Sequence, residues 1–470
     1  MDQLRTVTPE PMNVTIIGGA GYVGFITGLG LAELGHRVVG VDIAADKVEM
    51  LRSGRSPIYE EGVDLNEVLH RNLEAGRIAF TTDLAEGVRH GKIIFIAVGT
   101  PESEGGQADL SQVISVAENL LDYIDSYKVI VVKSTVPVGT VELVCDILKR
   151  RLREGEDFDI VANPEFLREG RGLYDFFNPT RIVIGTRSDR ARELMRKLYA
   201  PFFEQRATND EPRTTDYTPR TDTPLIETDI ASAQMIKYAS NAFLATRISF
   251  INEIASICEK VGADVKEVAK GMGYDPRIGH EYLEAGIGFG GPCLEKDLKA
   301  LIKIAEANGY EPGLLRAVLE KNEYQVRQVI AKLKELVGYL LYRKVIAVFG
   351  LAFKPGTNDV RTSLSLRVID LLMREGAIVR AHDPLAIPEA KAIEPRVEYC
   401  EDPYEAVRDA DAVLILTGWP EYRDLDWQRI KELMAAPNLV DGRNLLEGEQ
   451  LVTMGFAYRG IGRKAGVRLQ

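Results

Sequence analysis

Cysteine and histidine are scarce in this sequence, with four and five residues among 470. Cys145, Cys258, Cys293 and Cys400 form no Cys-x-x-Cys pair and no zinc-binding spacing with the histidines. We therefore predict no metal site, and disulfides are not expected in a reducing compartment. Each cysteine has to be judged by its own surroundings.

Positive charge and long apolar runs are also scarce. The formal net charge is −12 and no block of lysine and arginine exceeds three residues, which disfavours a nucleic-acid partner. Apolar runs such as Ile93–Val98 have the length of a strand, far below the ~20 residues that span a bilayer. Residues Met1–Pro11 contain no apolar core of a signal peptide. We expect no nucleic-acid or membrane partner and a cytoplasmic location.

Short β-branched runs alternate with amphipathic stretches in both end regions of the chain, which is typical of parallel sheets with crossover helices. We predict an α/β fold with two Rossmann-like parallel-sheet domains joined by a long central helix and a helical middle segment. The expected divisions are a first sheet domain at 1–204, a polar loop or insertion at 205–228, a helical central domain at 229–336 and a second sheet domain at 337–470.

The predicted strands and helices follow from the same periodicity. The strands are Asn13–Ile17, Arg37–Val41, Ile93–Val98, Val129–Val132, Arg181–Ile184, Val345–Phe349, Ile378–Ala381 and Ala412–Leu416. The main helices are Leu110–Ile124, Val138–Arg151, Asp229–Lys260, Leu294–Ala307, Leu314–Leu336 and Ser363–Glu375.

A glycine motif with the spacing Gly-x-Gly-x-x-Gly joins the first predicted strand to a helix. Gly19 is expected to turn the chain tightly, Gly21 to let the backbone approach a pyrophosphate, and Gly24 to pack the helix on the strand. Asp42 ends the next strand, where an acid accepts ribose hydroxyls and repels a 2′-phosphate. These features predict a dinucleotide site for NAD rather than NADP; a purely structural turn is the alternative.

Two further strand ends should open on the same crevice of the sheet, because ligands of open α/β sheets bind at the carboxyl ends of the strands. They carry Gly99-Thr100-Pro101 and Ser134-Thr135-Val136-Pro137. Thr135 is placed to hydrogen-bond to a bound water or the cofactor, or else to cap the following helix.

Cys293 differs from the other cysteines because it follows a glycine-rich loop and precedes a helix. We expect the four glycines of residues 286–291 to let the backbone approach a ligand, and Pro292 to begin the helix. The helix dipole and Lys296 then favour the thiolate, which makes Cys293 a candidate nucleophile. Asp297, one turn on, could transfer protons. A gap-filling core cysteine is the alternative.

Two other pairs of polar residues stand one helical turn apart. Lys237 and Asn241 lie among apolar or small neighbours, where a lysine can stabilise an oxyanion or orient a water; a solvated lysine is the alternative. Glu165 and Glu169 follow Pro164, which we interpret as the start of a helix. Glu165 could act as a general base, although acids are common in any first turn.

In combination these motifs resemble the UDP-glucose/GDP-mannose dehydrogenase family over nearly the whole chain. The resemblance extends to Thr135 within Ser134–Thr140, to residues 163–170, to 288–297 and to Gly350-Leu351-Ala352-Phe353-Lys354, and Gly170 looks more like the UDP-glucose branch. It implies an NAD-dependent enzyme that oxidises the primary alcohol of a nucleotide sugar twice. Cys293 would attack the aldehyde of the first oxidation, and water would cleave the thioester formed by the second.

The resemblance also implies a role for each matching residue. Lys237 and Asp297 would assist proton transfer and oxyanion stabilisation, while Glu165, Thr135 and Asn241 would hold water or the reacting oxygen. The implied cofactor contacts, besides the three glycines and Asp42, are Tyr22, Val23, Lys47, Thr100, Thr135, Glu169, Lys296 and Arg361. The implied substrate contacts are Glu165, Phe166, Leu167, Arg168, Glu169, Lys237, Asn241, Arg277, Tyr282, Leu283, Gly290, Phe353, Lys354 and Arg443.

Arg277 resembles an arginine that reaches the site of a neighbouring subunit, so the central helix is expected to pair subunits in a homodimer or a larger homo-oligomer. Departures from the family pattern surround the substrate loop, at Glu61, Ala285, Pro292 and Glu295, and bear on the identity of the sugar or base. UDP-glucose is the expected substrate. The alternatives are TDP-glucose, GDP-mannose or a UDP-N-acetylhexosamine, a single-step hydroxyacid dehydrogenase, and a binding protein without activity.

Overall fold

A computed structural model describes residues 10–103, 106, 108–203 and 219–463 of the chain. It divides into two compact units, the first ending at Ala239 and the second beginning at Ser240. Residues 205–218 of the predicted polar loop lie outside the described residues. No helix among those described is long and apolar enough to cross a membrane.

The first unit is built on one eight-stranded sheet in the order β3-β2-β1-β4-β5-β6-β7-β8. All neighbouring strands are parallel except the β6–β7 pair. The strands are β1 (Asn13–Ile17), β2 (Arg37–Val41), β3 (Ile78–Thr81), β4 (Ile93–Ile96), β5 (Lys128–Val132), β6 (Phe158–Ala162), β7 (Ile182–Gly185) and β8 (Leu225–Thr228). Strands β4, β5 and β6 are buried along their whole length, as expected for strands covered by helices on both faces.

Within the described part of this unit, eight helices accompany the sheet. They are α1 (Tyr22–Glu33), α2 (Ala45–Arg52), α3 (Leu65–Glu74), α4 (Leu84–His90), α5 (Ser111–Leu120), α6 (Thr140–Leu148), α7 (Gly172–Phe177) and α8 (Asp189–Leu198), with a short 3₁₀ helix at Ala200–Phe202. The register places Ile17 beside Val41 and Ile96. The residues that follow β1, β2 and β4 therefore lie together at the carboxyl ends of the strands.

Four helices follow, α9 (Ile230–Val261), α10 (Val265–Gly273), α11 (Leu294–Ala307) and α12 (Gly313–Val337). The division between the units falls within α9. This helix is 32 residues long and contains no proline, so nothing in its sequence interrupts the hydrogen-bond ladder.

The second unit also contains a parallel six-stranded sheet, in the order β11-β10-β9-β12-β13-β14. Its elements are β9 (Val345–Phe349), α13 (Leu364–Arg374), β10 (Ile378–His382), α14 (Ile387–Ile393), β11 (Glu398–Tyr399), α15 (Pro403–Ala406), β12 (Ala412–Ile415), α16 (Trp427–Leu433), β13 (Asn438–Asp441), α17 (Gly448–Met454) and β14 (Ala457–Gly460), with a 3₁₀ helix at Pro420–Arg423. Counted from its own first strand, this order is 3-2-1-4-5-6, which is also the order of strands β1 to β6 in the first sheet and of dinucleotide-binding folds.

The predicted fold class is confirmed, and every predicted strand is present with its ends shifted by at most two residues. Two local predictions differ from the structure. Leu225–Thr228, placed at the end of the polar loop, forms the edge strand β8 because its backbone pairs with β7. Residues 163–168, expected to begin a helix at Pro164, are irregular, and the helix begins only at Gly172.

Candidate active site

The glycine motif of the first unit packs the chain tightly where β1 meets α1. A Cβ on Gly24 would lie 2.1 Å from the Gly18 carbonyl oxygen, so Gly24 is required for close packing, as predicted. The left-handed residue of the turn is Gly18, with φ +86°, rather than Gly19. A glycine is needed at position 19 because a Cβ there would lie only 2.7 Å from the Cα of Gly40. A Cβ on Gly21 would meet no atom closer than 3.4 Å, which leaves room beside the backbone.

Asp42 is fixed at the carboxyl end of β2. Its Oδ2 accepts a hydrogen bond from the Ala20 backbone N–H (2.9 Å), and its Oδ1 accepts one from the Ala44 N–H (3.1 Å). The side chain stays half-buried. An open backbone at Gly21 and a carboxylate at the end of β2 fit a dinucleotide, since the first can approach a phosphate and the second can accept ribose hydroxyls.

The other predicted cofactor contacts of this unit differ in their surroundings. The Tyr22 hydroxyl donates to Glu60 Oε1 and to the Arg168 carbonyl oxygen, both at 2.8 Å. The Thr100 hydroxyl donates to the Thr135 carbonyl oxygen (2.9 Å) and so joins two strand ends. Val23 and Glu169 are half-buried and Lys47 is exposed.

A buried group of one polar and three charged residues, here called the Lys237 cluster, consists of Asn163, Lys133, Glu165 and Lys237. Lys237 is 5% exposed, and its Nζ donates to Glu165 Oε1 at 2.8 Å. The alternative of a solvated lysine is therefore excluded. Burial alone would raise the pKa of Glu165, but the Lys237 ammonium, the Leu167 N–H and the Lys133 charge outweigh it and lower that pKa.

The irregular segment 163–168 shapes this cluster. The Asn163 side chain is held by two hydrogen bonds: its amide donates to the Val183 carbonyl oxygen (2.8 Å), and its Oδ1 accepts from the Tyr199 hydroxyl (2.8 Å). Glu165 Oε2 accepts from the Leu167 N–H at 2.6 Å. These side-chain contacts replace helical hydrogen bonds, which explains why Pro164 does not start a helix.

The predicted substrate contacts on this segment serve partly as protein contacts. The Phe166 ring contacts two cations, with the Arg181 guanidinium 3.6 Å and the Lys237 Nζ 5.5 Å from the ring centroid. Leu167 is half-buried against the core. Arg168 forms an ion pair with Asp175 through two hydrogen bonds (2.6 and 3.0 Å), so its guanidinium is directed to α7.

Thr135 does not cap the helix after it, because α6 begins at Thr140 without a side-chain cap. Its side chain instead lines a small cavity with Gln234, Lys237 and Tyr238. This position beside the Lys237 cluster fits the prediction of a hydroxyl that holds a water or a reacting oxygen.

In the second unit a group here called the Cys293 cluster consists of Asn241, Cys293, Lys296 and Asp297. Cys293 is the N-cap residue of α11 and is exposed, whereas the other three cysteines are buried. A gap-filling role for Cys293 is therefore excluded. Asp297 is 1% exposed, and its carboxylate accepts from the Asn241 amide (2.7 Å) and from the Lys296 ammonium (2.7 Å).

The glycines before Cys293 are packed closely against protein atoms. A Cβ on Gly286, Gly288, Gly290 or Gly291 would come within 2.3–2.8 Å of Gly442, Asn322, Thr362 or Phe353, respectively. The loop is also held by hydrogen bonds from the amide of Asn322, which accepts from the Phe289 N–H (2.8 Å) and donates to the Phe289 carbonyl (2.9 Å). The loop that leads to the thiol is thus rigidly fixed.

Other predicted substrate contacts of the second unit also support this loop. Arg443 donates to the carbonyl oxygens of Leu416 (2.8 Å) and Gly288 (3.0 Å). Burial lowers the pKa of Arg443 to about 10, although Asp441 opposes the shift. Leu283 is part of the hydrophobic core. Tyr282 is half-buried with a left-handed backbone, φ 62°, a strained conformation that is more frequent at functional sites.

The remaining predicted residues are more exposed. Lys354 lies half-buried with its Nζ 5.9 Å from the Phe353 ring centroid. Arg361 pairs with Asp359 at 2.6 Å. The Arg277 side chain is 87% exposed and pairs with Asp275 at 2.6 Å.

Three buried polar residues support the site but are not part of any motif in the sequence. Lys133 follows an apolar run and is 7% exposed. Glu60, 2% exposed, accepts from the Gly172 and Leu173 N–H groups and so caps α7. Asn322, 2% exposed, holds the glycine loop. A polar residue inside an apolar stretch was the only signal for Lys133.

Comparison with known proteins agrees with this geometry. Three family models match: the NAD binding domain of the UDP-glucose/GDP-mannose dehydrogenase family at residues 12–203, its central domain at 231–324 and its UDP binding domain at 347–448. A UDP-glucose 6-dehydrogenase of Bacillus subtilis is 46% identical over 448 residues, covering 95% of this chain and 92% of that protein. One of Pseudomonas aeruginosa is 42% identical, covering 96% and 98%.

Solved structures give the same result. A UDP-glucose dehydrogenase from Pyrobaculum islandicum superposes with a TM-score of 0.85 at 38% identity, covering 99% of this chain and all of that one. A UDP-D-ManNAc dehydrogenase from Pyrococcus horikoshii gives a TM-score of 0.82 at 28% identity, covering 96% and 99%. The predictions of an NAD-dependent dehydrogenase and of NAD as cofactor are confirmed. The chain belongs to the UDP-glucose/GDP-mannose dehydrogenase family.

Proposed function

We propose that this chain oxidises the primary alcohol of UDP-glucose to the carboxylate of UDP-glucuronate in two NAD-dependent steps, through a thioester on Cys293. The observation that carries the proposal is the exposed thiol at the N-terminus of α11, beside a buried Asp297. UDP-glucose is favoured over other nucleotide sugars because several relatives named UDP-glucose 6-dehydrogenase are 41–46% identical, whereas the UDP-D-ManNAc dehydrogenase is 28% identical.

The glycine loop around Gly21 and the carboxylate of Asp42 would hold NAD. When bound, NAD accepts a hydride in each oxidation, which is redox chemistry that side chains cannot supply. Lys237, held by Glu165, accepts the alcohol proton in the first oxidation, and its charge then stabilises oxygen in the later steps. Thr135 and Asn241 donate hydrogen bonds to the reacting oxygen or to water.

Cys293 supplies the covalent step. Its thiolate attacks the aldehyde carbon, and the resulting thiohemiacetal is oxidised to a thioester that water hydrolyses. Asp297, fixed by Asn241 and Lys296, moves the protons of these steps. Hydrolysis makes the second oxidation effectively irreversible, so the carboxylate is the final product.

The direct test is a panel of nucleotide sugars, UDP-glucose, TDP-glucose, GDP-mannose and a UDP-N-acetylhexosamine, incubated with NAD and the intact chain. We expect two NADH per UDP-glucose consumed and a carboxylate product by mass spectrometry, with much lower kcat/KM for the others. One NADH per sugar would favour a single-step dehydrogenase, and no NADH with any sugar would refute the proposal.

We also propose that the chain forms a homodimer through α9. Phe243, Phe250 and Ile257 are exposed at seven-residue intervals, which places them on one face of the helix over about 21 Å. Large apolar side chains exposed in a row on a long helix favour burial against a second copy of the same helix. The exposed Arg277 would then be available to the partner.

Introducing charge on this face is expected to separate the dimer. Phe243→Glu/Phe250→Glu should sediment as a monomer at concentrations where the unaltered chain is dimeric, because burying two carboxylates without partners is costly. Ile393→Glu, an equally exposed apolar residue on α14, is the matched control and should stay dimeric. An unchanged sedimentation coefficient for the double variant would contradict the proposed interface.

A further inference from the structure

Lys133 is a second buried lysine in the Lys237 cluster, and the proposed function assigns it no role. It follows β5 directly and is 7% exposed. Its Nζ donates to Asn163 Oδ1 at 3.2 Å and lies 5.9 Å from the Phe95 ring centroid. Within the described part of the first unit, the Asn163 oxygen is its hydrogen-bond acceptor.

The charges that face Lys133 come from several elements. Glu165, on the segment after β6, attracts it, and Lys237, on α9, repels it. The Tyr199 hydroxyl, at the end of α8, shares the Asn163 oxygen and is neutral, since burial raises its pKa. The charges that lower the pKa of Glu165 are those of Lys237 and Lys133, while the Arg181 guanidinium packs 3.6 Å from the Phe166 ring centroid. Lys133 is therefore the cation that remains near Glu165 when Lys237 is uncharged.

The net charge of the Lys237 cluster depends on whether Lys237 is protonated. With Lys133 protonated, the cluster carries one net positive charge when Lys237 is protonated and none when Lys237 is neutral. Without Lys133, neutral Lys237 would leave the Glu165 carboxylate alone in a buried site, a state that is strongly unfavourable. A lysine that has to accept a proton needs its neutral form populated before the reaction.

We propose that Lys133 is a positioning residue whose positive charge, held against Asn163, keeps Glu165 ionised while Lys237 is neutral and ready to accept the proton of the substrate alcohol. The inference rests on the proposed function, in which Lys237 takes that proton. Burial lowers the pKa of Lys133 itself to about 8, with Lys237 adding to the shift and Glu165 opposing it. Its charge is therefore present at neutral pH and declines at alkaline pH.

The test is the pH dependence of kcat/KM for NADH formation from UDP-glucose. In Lys133→Met the rising acid limb should move to higher pH by about one unit or more, because loss of a nearby positive charge raises the pKa of both Lys237 and Glu165. The acid limb moves to higher pH whether Lys237 or Glu165 is the group that accepts the proton. Lys133→Arg keeps the charge and should restore the position of the limb.

Lys128 offers a matched control, since it is a 4% exposed lysine on the same strand, at the opposite end of β5. Lys128→Met should leave the limb in place even if both methionine variants change the melting temperature. Lys133→Gln, which retains a hydrogen-bond donor for Asn163, serves for the same comparison if Lys133→Met does not fold.

The outcomes separate the two proposals. If the unaltered chain releases no carboxylate, the proposed function fails whatever Lys133 does. If the unaltered chain is active and its acid limb lies at the same pH as that of Lys133→Met or Lys133→Gln, only the role of Lys133 is refuted. An equal shift in Lys128→Met would also refute it, because the effect would then be a general consequence of removing a buried lysine.

Discussion

Cys293→Ser is expected to lower the formation of the carboxylate by roughly 10³-fold or more. Serine keeps the size and place of the side chain at the N-terminus of α11, but its hydroxyl is hardly ionised at neutral pH and is a far weaker nucleophile. The first oxidation does not need the sulfur. The variant should therefore release one NADH and an aldehyde that carbonyl reagents trap.

Three measurements check this expectation: NADH per sugar, carboxylate by mass spectrometry, and aldehyde captured with hydroxylamine. Iodoacetamide should modify Cys293 before the three buried cysteines and abolish carboxylate formation in parallel. Cys400→Ser, a buried cysteine of the same unit, is the control and should retain two NADH per sugar. Full conversion to the carboxylate by Cys293→Ser would refute the thioester.

The sequence predicted those parts of the site that depend on local pattern. The glycine motif, Asp42 at a strand end and Cys293 before a helix are recognisable because strand, turn and helix succeed each other within a few residues. Lys237 and Asn241 are recognisable because polar side chains among apolar neighbours need buried partners. These inferences require no knowledge of distant contacts.

The rest depended on contacts between residues far apart in sequence. Pro164 suggests a helix, but Asn163 is held by Lys133, Val183 and Tyr199, which are 20 to 36 residues away, and the segment stays irregular. The glycines before Cys293 indicate a close approach to the backbone, but they do not identify Asn322, 34 residues beyond Gly288 (322 − 288), as the residue that occupies the space of a side chain there. Local periodicity carries no information about such partners.

Lys237→Met is expected to reduce kcat/KM by about 10²–10⁴-fold and to destabilise the first unit by roughly 3–5 kcal/mol. Catalysis suffers because the proton acceptor is gone. Stability suffers because Glu165, 8% exposed, loses the ammonium that lies 2.8 Å away. Lys237→Met/Glu165→Gln removes both members of the pair, so it should destabilise the chain by less than the sum of the two single changes and restore no activity, a non-additive result that a double-mutant cycle measures.

The pH dependence of this loss has a definite sign. The pKa of Glu165 is lowered in the folded chain, so its contribution to stability is present above the unfolded value of about 4.5 and disappears as the pH falls through the folded value. In Lys237→Met the pKa of Glu165 is lowered less, because the Leu167 N–H and the Lys133 charge alone oppose the effect of burial. The difference in unfolding free energy between the two chains, measured by urea denaturation, should therefore be largest near pH 7 and shrink towards pH 4. A difference independent of pH would mean that Lys237 supports the fold by packing rather than by its charge.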